Sequence, residues 1–182
     1  MTPFEFVFAL FVLLLGLSIA EMLGGLARSI KLHDKVRIGW LTPLLAVEIL
    51  VNLTTFWFES WRLRDQGAPT LGSMLITLAL SGAYYLAASL VFPDPGKEPG
   101  DLDEHFMVNK RAALGVILGC NLAALTIVTL HAGTIPGGRF WLTNALFLGL
   151  LAATAFTTSR RWSLAGLVTL LCIHAFAVVV TM

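Results

Sequence analysis

Apolar residues gather in six runs along this chain, separated by short segments rich in charge, proline and glycine. The runs lie near residues 4–27, 40–61, 70–92, 111–131, 140–158 and 163–181. Each comes close to the about 20 residues that an α-helix needs to cross a hydrocarbon layer of about 30 Å. The breaks read "RSIKLHDKVR" (28–37), "RLRDQGAP" (62–69), "FPDPGKEPGDLDEH" (92–105), "HAGTIPGGR" (131–139) and "SRR" (159–161), where turn-forming residues collect. A backbone in lipid must satisfy its own hydrogen bonds, so these runs predict helices; the alternating pattern of a membrane barrel is missing. The expected fold class is an all-α membrane protein with six transmembrane helices.

The Pro/Gly/acid-rich segment 93–110 divides the chain into a three-helix half, 1–92, and a second, 111–182. Three is odd, so the halves would run in inverted orientation, as in many small transporters. "WLT" at 40–42 recurs at 141–143, the matching place in the other half.

Composition identifies the solvent. Of 182 residues, 57% are hydrophobic and 13% charged, with a mean hydropathy of +0.84; soluble domains carry about 25% charged residues. Placement of charge says more than the net +1. The first, third and fifth loops hold Arg28, Lys31, Lys35, Arg37, Lys97, Lys110, Arg111, Arg160 and Arg161, whereas the second and fourth hold Arg62, Arg64 and Arg139. Basic loops stay on the cytoplasmic side, so both termini are expected outside. Trp40, Trp57, Trp61, Trp141 and Trp162 fall near helix ends, where aromatic belts form. The first run opens "MTPFEF" without a basic residue and reads as a retained helix rather than a cleaved signal. Short loops without a soluble domain suit the cytoplasmic membrane of a bacterium or archaeon.

The polar residues inside the runs share a depth. At a rise of 1.5 Å per residue, Glu21, Glu48, Asn52, Tyr84, Tyr85, Asn121 and His174 lie roughly 10–18 Å from the basic ends of their spans. Polar groups at such depth are costly in lipid and usually face the bundle interior. On the second helix Glu48, Asn52, Thr55, Glu59 and Arg62 form one stripe; on the first, Ser18, Glu21, Gly25 and Arg28 form another. The two stripes are expected to share a seam, where Glu21 and Glu48 could share a proton or hold a cation. Arg28 could pair with Glu21, though their seven-residue separation makes two turns and favours other partners. Gly115 with Gly119, Ala145 with Gly149 and Ala153, and Gly16 with Ala20 and Gly24 offer small-residue ridges for close helix packing, within one chain or between copies.

Several chemistries drop out. Cys120 and Cys172 form no CxxC pair. All the lysines lie in loops or at helix ends, so a midspan Schiff base is not expected. Zinc hydrolysis wants about three clustered ligands, and only His174 is deep. His131 sits at the opposite surface and could not complete a bis-histidine haem. "NLT" at Asn52 is too deep to be glycosylated, and neither a phosphate loop, a catalytic triad nor a nucleic-acid motif occurs.

The sequence therefore predicts no catalytic residue, no cofactor, no metal and no nucleic acid. The expected partners are the lipid bilayer, protons or small cations, and further copies of the chain in a homo-oligomer. The leading expectation is a small channel or transporter for protons or small cations, built around Glu21 and Glu48 with Asn52, Tyr84, Tyr85, Asn121 and His174. The alternative is a non-transporting sensor, assembly factor or partner subunit whose buried polar groups lock the helices. An intramembrane enzyme or quinone-binding protein using His174 ranks last.

Overall fold

A computed structural model describes residues 3–62, 70–94, 96, 100–131 and 137–181. Arg64, Lys97 and most of the second and fourth breaks lie outside the described residues, as do the side chains of Arg62 and His131. Among the described residues there are six α-helices and no strand: α1 (Pro3–Lys31), α2 (Leu41–Arg62), α3 (Leu71–Ser89), α4 (Leu102–His131), α5 (Gly138–Phe156) and α6 (Arg160–Thr181). Helices α1 to α5 are each long and apolar enough to cross a membrane. Their outward faces are apolar, with Leu13, Leu17, Leu23, Leu86, Leu146 and Phe156 exposed, as a lipid solvent allows.

The largest departure from the sequence pattern is at the start of α4. Residues 102–110 are helix, although the Pro/Gly/acid-rich segment 93–110 as a whole reads as loop. Asp101 is the reason. Its Oδ1 accepts from the Asp103 N–H at 2.8 Å, capping the helix, and Asp103 and Glu104 place negative charge at its first turn. Leu102, Phe106 and Lys110 then follow at helical spacing and are all buried. Helix α4 thus runs more than two turns past its apolar span.

The odd-numbered connections meet at one end, which carries the exposed Lys31, Lys35, Arg37, Arg111, Arg160 and Arg161. Arg37 N–H donates to the Gly100 carbonyl, and Leu102 N–H to the Arg37 carbonyl, both at 2.9 Å. Asp103 Oδ1 accepts from Leu41 N–H at 2.9 Å, satisfying a free donor at the start of α2. Gly39 makes this approach possible: its φ is +63°, and a Cβ there would strike the Asp103 carboxylate. Arg160 reaches Asp101 Oδ2 at 3.2 Å, so the starts of α2, α4 and α6 are tied together. Below them Lys110 is buried, and its Nζ donates to the Thr157 carbonyl, at the C-cap of α5, and to Ser163 Oγ. A cation placed there meets carbonyls that the end of α5 leaves free.

Helix α2 is central, packing against α1, α3, α4 and α6, whereas α5 packs against α4 and α6. The second and fifth helices therefore occupy unequal places in the bundle. Close approach occurs where Gly25 lies under the Phe92 ring and where Gly166 lies under Thr154. Gly115 and Gly119 do not sit under a neighbouring helix: a Cβ on either meets open space, as it does on Gly149 and Gly16. The small-residue spacing of α4 is real, but its face points outward.

Gly166→Val should therefore overpack the α5–α6 contact and cost about 1–3 kcal/mol, while Gly119→Leu should stay within about 0.5 kcal/mol of wild type. Thermal unfolding in detergent checks both; the reverse order would put α4, not α6, at the tight contact.

Asp101 supplies a second test. Burial raises its carboxyl, but the Asp103 N–H, Arg160 and Arg37 outweigh this and hold it below its ordinary value of 3.8. A lowered folded-state value means the stabilisation is complete above the unfolded value and lost as pH falls through the folded one. Asp101→Asn should lower the melting temperature at pH 7, and the gap to wild type should close as the sample is acidified below about pH 4. A gap that stays constant down to that acidity would remove the carboxylate from this role.

Candidate functional site

The first half of α2 buries almost every side: Leu41, Thr42, Leu45, Ala46, Glu48, Ile49, Asn52 and Leu53 are all buried. With helices on four sides, α2 has little outward face there, and Glu48 has nowhere to turn except inward. Its relative exposure is 0%. Asn52 lies one turn further on, and its Nδ2 donates to Glu48 Oε1 at 3.0 Å and to the Glu48 carbonyl at 3.3 Å.

From α6, His174 brings Nδ1 to 3.3 Å from the same Oε1. That separation is close enough for an ion pair, yet the atoms are not aligned for a hydrogen bond. Glu48 Oε2 and His174 Nδ1 are in fact the buried side-chain atoms left without a hydrogen-bond partner among the described residues. The His174 ring meets the edge of Phe147 on α5, with centroids 5.0 Å apart.

On the other side the chain continues. Asn121 on α4 donates from Nδ2 to Asn52 Oδ1 at 3.1 Å, to the Tyr84 hydroxyl at 3.4 Å and to its own Ile117 carbonyl at 2.9 Å. Tyr84 on α3 is buried, and its ring packs 5.2 Å from Phe56. Phe56 in turn meets Phe11 edge-on at 5.2 Å, so aromatic rings of α1 and α2 close the bundle beside the tyrosine. One polar chain therefore runs His174–Glu48–Asn52–Asn121–Tyr84 through α6, α2, α4 and α3.

Two of the sequence candidates lie elsewhere. Tyr85, one residue beyond Tyr84, is 38% exposed. Glu21 engages Arg28 at 3.3 Å, the pairing that their seven-residue separation had made the less favoured one. Side chains on a helix lean toward its N-terminus, so Arg28 lies back over Gly24 and reaches an acid two turns earlier. Both side chains are about one-third exposed, at 38% and 33%. The Phe147 ring beside His174 carries no sequence signal that could have marked it, since it is one of many apolar residues in α5.

The donor pattern limits what the site can hold. A carboxylate accepts only, so Asn52 must present its N–H to Glu48 and its oxygen to Asn121. A cation beside Oε1 would face that N–H and lose to it. A proton has no such conflict. With one proton shared between Glu48 and His174, the pair is neutral overall, either as carboxyl and imidazole or as carboxylate and imidazolium. Gain or loss of a proton would leave a net charge inside the bundle.

No protein-family model, curated protein or solved structure matches the chain.

Proposed function

We propose that the protein spans the cytoplasmic membrane of a bacterium or archaeon six times and carries protons through Glu48 and His174. The observation that carries this reading is the fully buried Glu48, with Oε2 unpartnered and an imidazole nitrogen 3.3 Å from Oε1. Ionisable groups at membrane depth are retained mainly for ion and proton movement. Helix α6 completes the sixth span: its 22 residues measure about 33 Å at 1.5 Å per residue, and its charge is confined to Arg160 and Arg161 at one end. Protons fit the Oε1 edge better than small cations, because the Asn52 N–H already lies against that oxygen.

A second reading has its own support. Asn52, Asn121 and Tyr84 form a connected chain over three helices, which would lock the bundle of a non-transporting protein. Glu48→Gln separates the two, since it keeps shape and removes titration. In proteoliposomes of pure protein under an imposed potential, transport predicts that Glu48→Gln lowers proton flux at least tenfold without loss of fold. A purely structural role predicts no flux in either protein, a silent Gln variant, and a Glu48→Leu variant destabilised by about 0.6–2 kcal/mol. Flux that persists unchanged in Glu48→Gln removes Glu48 from the conducting path.

The basic end belongs to the cytoplasm in this reading, with both termini outside. In a Cys172→Ser background, Asp34→Cys should be modified from the inside and Gly67→Cys from the outside. Outside labelling at position 34 would invert the orientation.

A further inference from the structure

Polar side chains inside the bundle lie at two levels, and α2, α4 and α6 contribute to both. Nearer the basic end, Lys110 on α4 donates to Ser163 on α6 and to the Thr157 carbonyl, while Thr42 on α2 donates to the Leu102 carbonyl at 2.8 Å. At the deeper level stand Asn121 on α4, His174 on α6, and Glu48 with Asn52 on α2. Eleven residues separate Lys110 from Asn121, and eleven separate Ser163 from His174, about 16 Å along either helix. Eleven residues make three turns, so the members of each pair stand on one face, one above the other.

Between the two levels those faces are apolar. They hold Leu114 and Ile117 on α4, Leu167 and Leu170 on α6 and Leu45 on α2, each 2% exposed or less and all within one core. Thr154, the polar side chain that α5 buries nearby, is committed to the Leu150 carbonyl. Water in such a layer would lack the two to four polar partners it needs, so the layer is dry. Protons cross a protein through water or through titratable groups, and these five side chains supply neither. Packing is also one-sided. Moving away from the basic end, the last buried residues are Leu53 on α2, Cys120 on α4 and Leu170 on α6; beyond them no described residue of these helices is buried. The tight part of all three lies between the basic end and the Glu48 level.

We infer that Leu45, Leu114, Ile117, Leu167 and Leu170 form a seal that closes the Glu48 level to the basic end. The inference rests on reading Glu48 as the proton-binding group, and it adds where passage is stopped. Apolar constrictions gate by losing their water, and polar side chains at the same place let it return. Beneath the seal Lys110 ties the end of α5 and the start of α6 to α4, which holds the two sides of the layer together.

The test is proton flux of the full chain in proteoliposomes under an imposed potential. Leu114→Ser combined with Leu170→Ser should raise flux at least tenfold, and adding Glu48→Gln should return it to the level of Glu48→Gln alone. Leu15→Ser makes the same kind of change in the core but on α1, away from the seal, and should stay within twofold of wild type. Unchanged flux in the folded double variant, a rise that Glu48→Gln does not reduce, or an equal rise in Leu15→Ser overturns the seal. A milder variant covers loss of folding. In a Cys120→Ser, Cys172→Ser background, Leu114→Cys should react with a charged methanethiosulfonate at least a hundredfold more slowly than the exposed Thr158→Cys. Similar rates at the two positions would place water in the layer and overturn the seal. The two proposals fail separately. Wild type without flux, beside a double variant whose flux depends on Glu48, removes native transport and keeps the seal; Glu48-dependent flux that the double variant leaves untouched does the reverse.

Discussion

A carboxylate in the middle of a helix cannot be satisfied by that helix. Every N–H around it is committed to a carbonyl one turn back, and the carboxylate itself only accepts. The buried hydroxyls of this protein escape the problem: Ser18, Ser81 and Thr154 each donate to the carbonyl four residues earlier. Glu48 has no such recourse when ionised. Its donors must come from side chains, and in a lipid-facing bundle those have to come from the interior. Asn52 supplies one from the next turn, and His174 lies against the same oxygen from α6. Once Asn52 is turned toward Glu48, its oxygen needs a donor, which brings in Asn121 from α4, and Tyr84 follows. The interior polar chain descends from that single requirement.

Charges at the helix ends are handled by the opposite means. Helix termini leave backbone groups free, donors at the start and acceptors at the finish. Asp101 and Asp103 take up donors at the starts of α4 and α2, and Lys110 takes an acceptor at the finish of α5. These side chains bind the bundle at its basic end using groups that would otherwise be unsatisfied. Their satisfaction is local and complete, so they serve architecture. Glu48 retains an unpartnered oxygen, and that difference is why the functional proposal rests on it rather than on Lys110, although both are buried.

Helix number and most helix limits within a few residues were legible from the chain alone, because lipid leaves so few choices. A long apolar run in that solvent must be a helix, and the 1.5 Å rise converts sequence position into depth. The pairing of Glu48 with Asn52 was also readable, since residues four apart on one helix lie on one stripe. Misreadings arose where a residue could reach beyond its own position. The acidic start of α4 looked like loop because its stabilisation comes from Asp101 as a cap and from contacts across the bundle, not from apolar content.

What only tertiary structure decided was the direction each helix turned about its own axis. Tyr84 and Tyr85 are equivalent candidates in sequence, and adjacent helical residues point about 100° apart; one is buried in the polar chain and the other is exposed. Glu21 and Glu48 are expected at one depth from the sequence, yet Arg28 folds back to claim the first and leaves the second to the interior. Gly115 and Gly119 keep the spacing of a packing motif while their face meets open space. Depth is a property of distance along one helix, fixed by local geometry. Rotation is set by the competition of all neighbouring faces for burial, and a single chain of letters records each face without recording which of them meet.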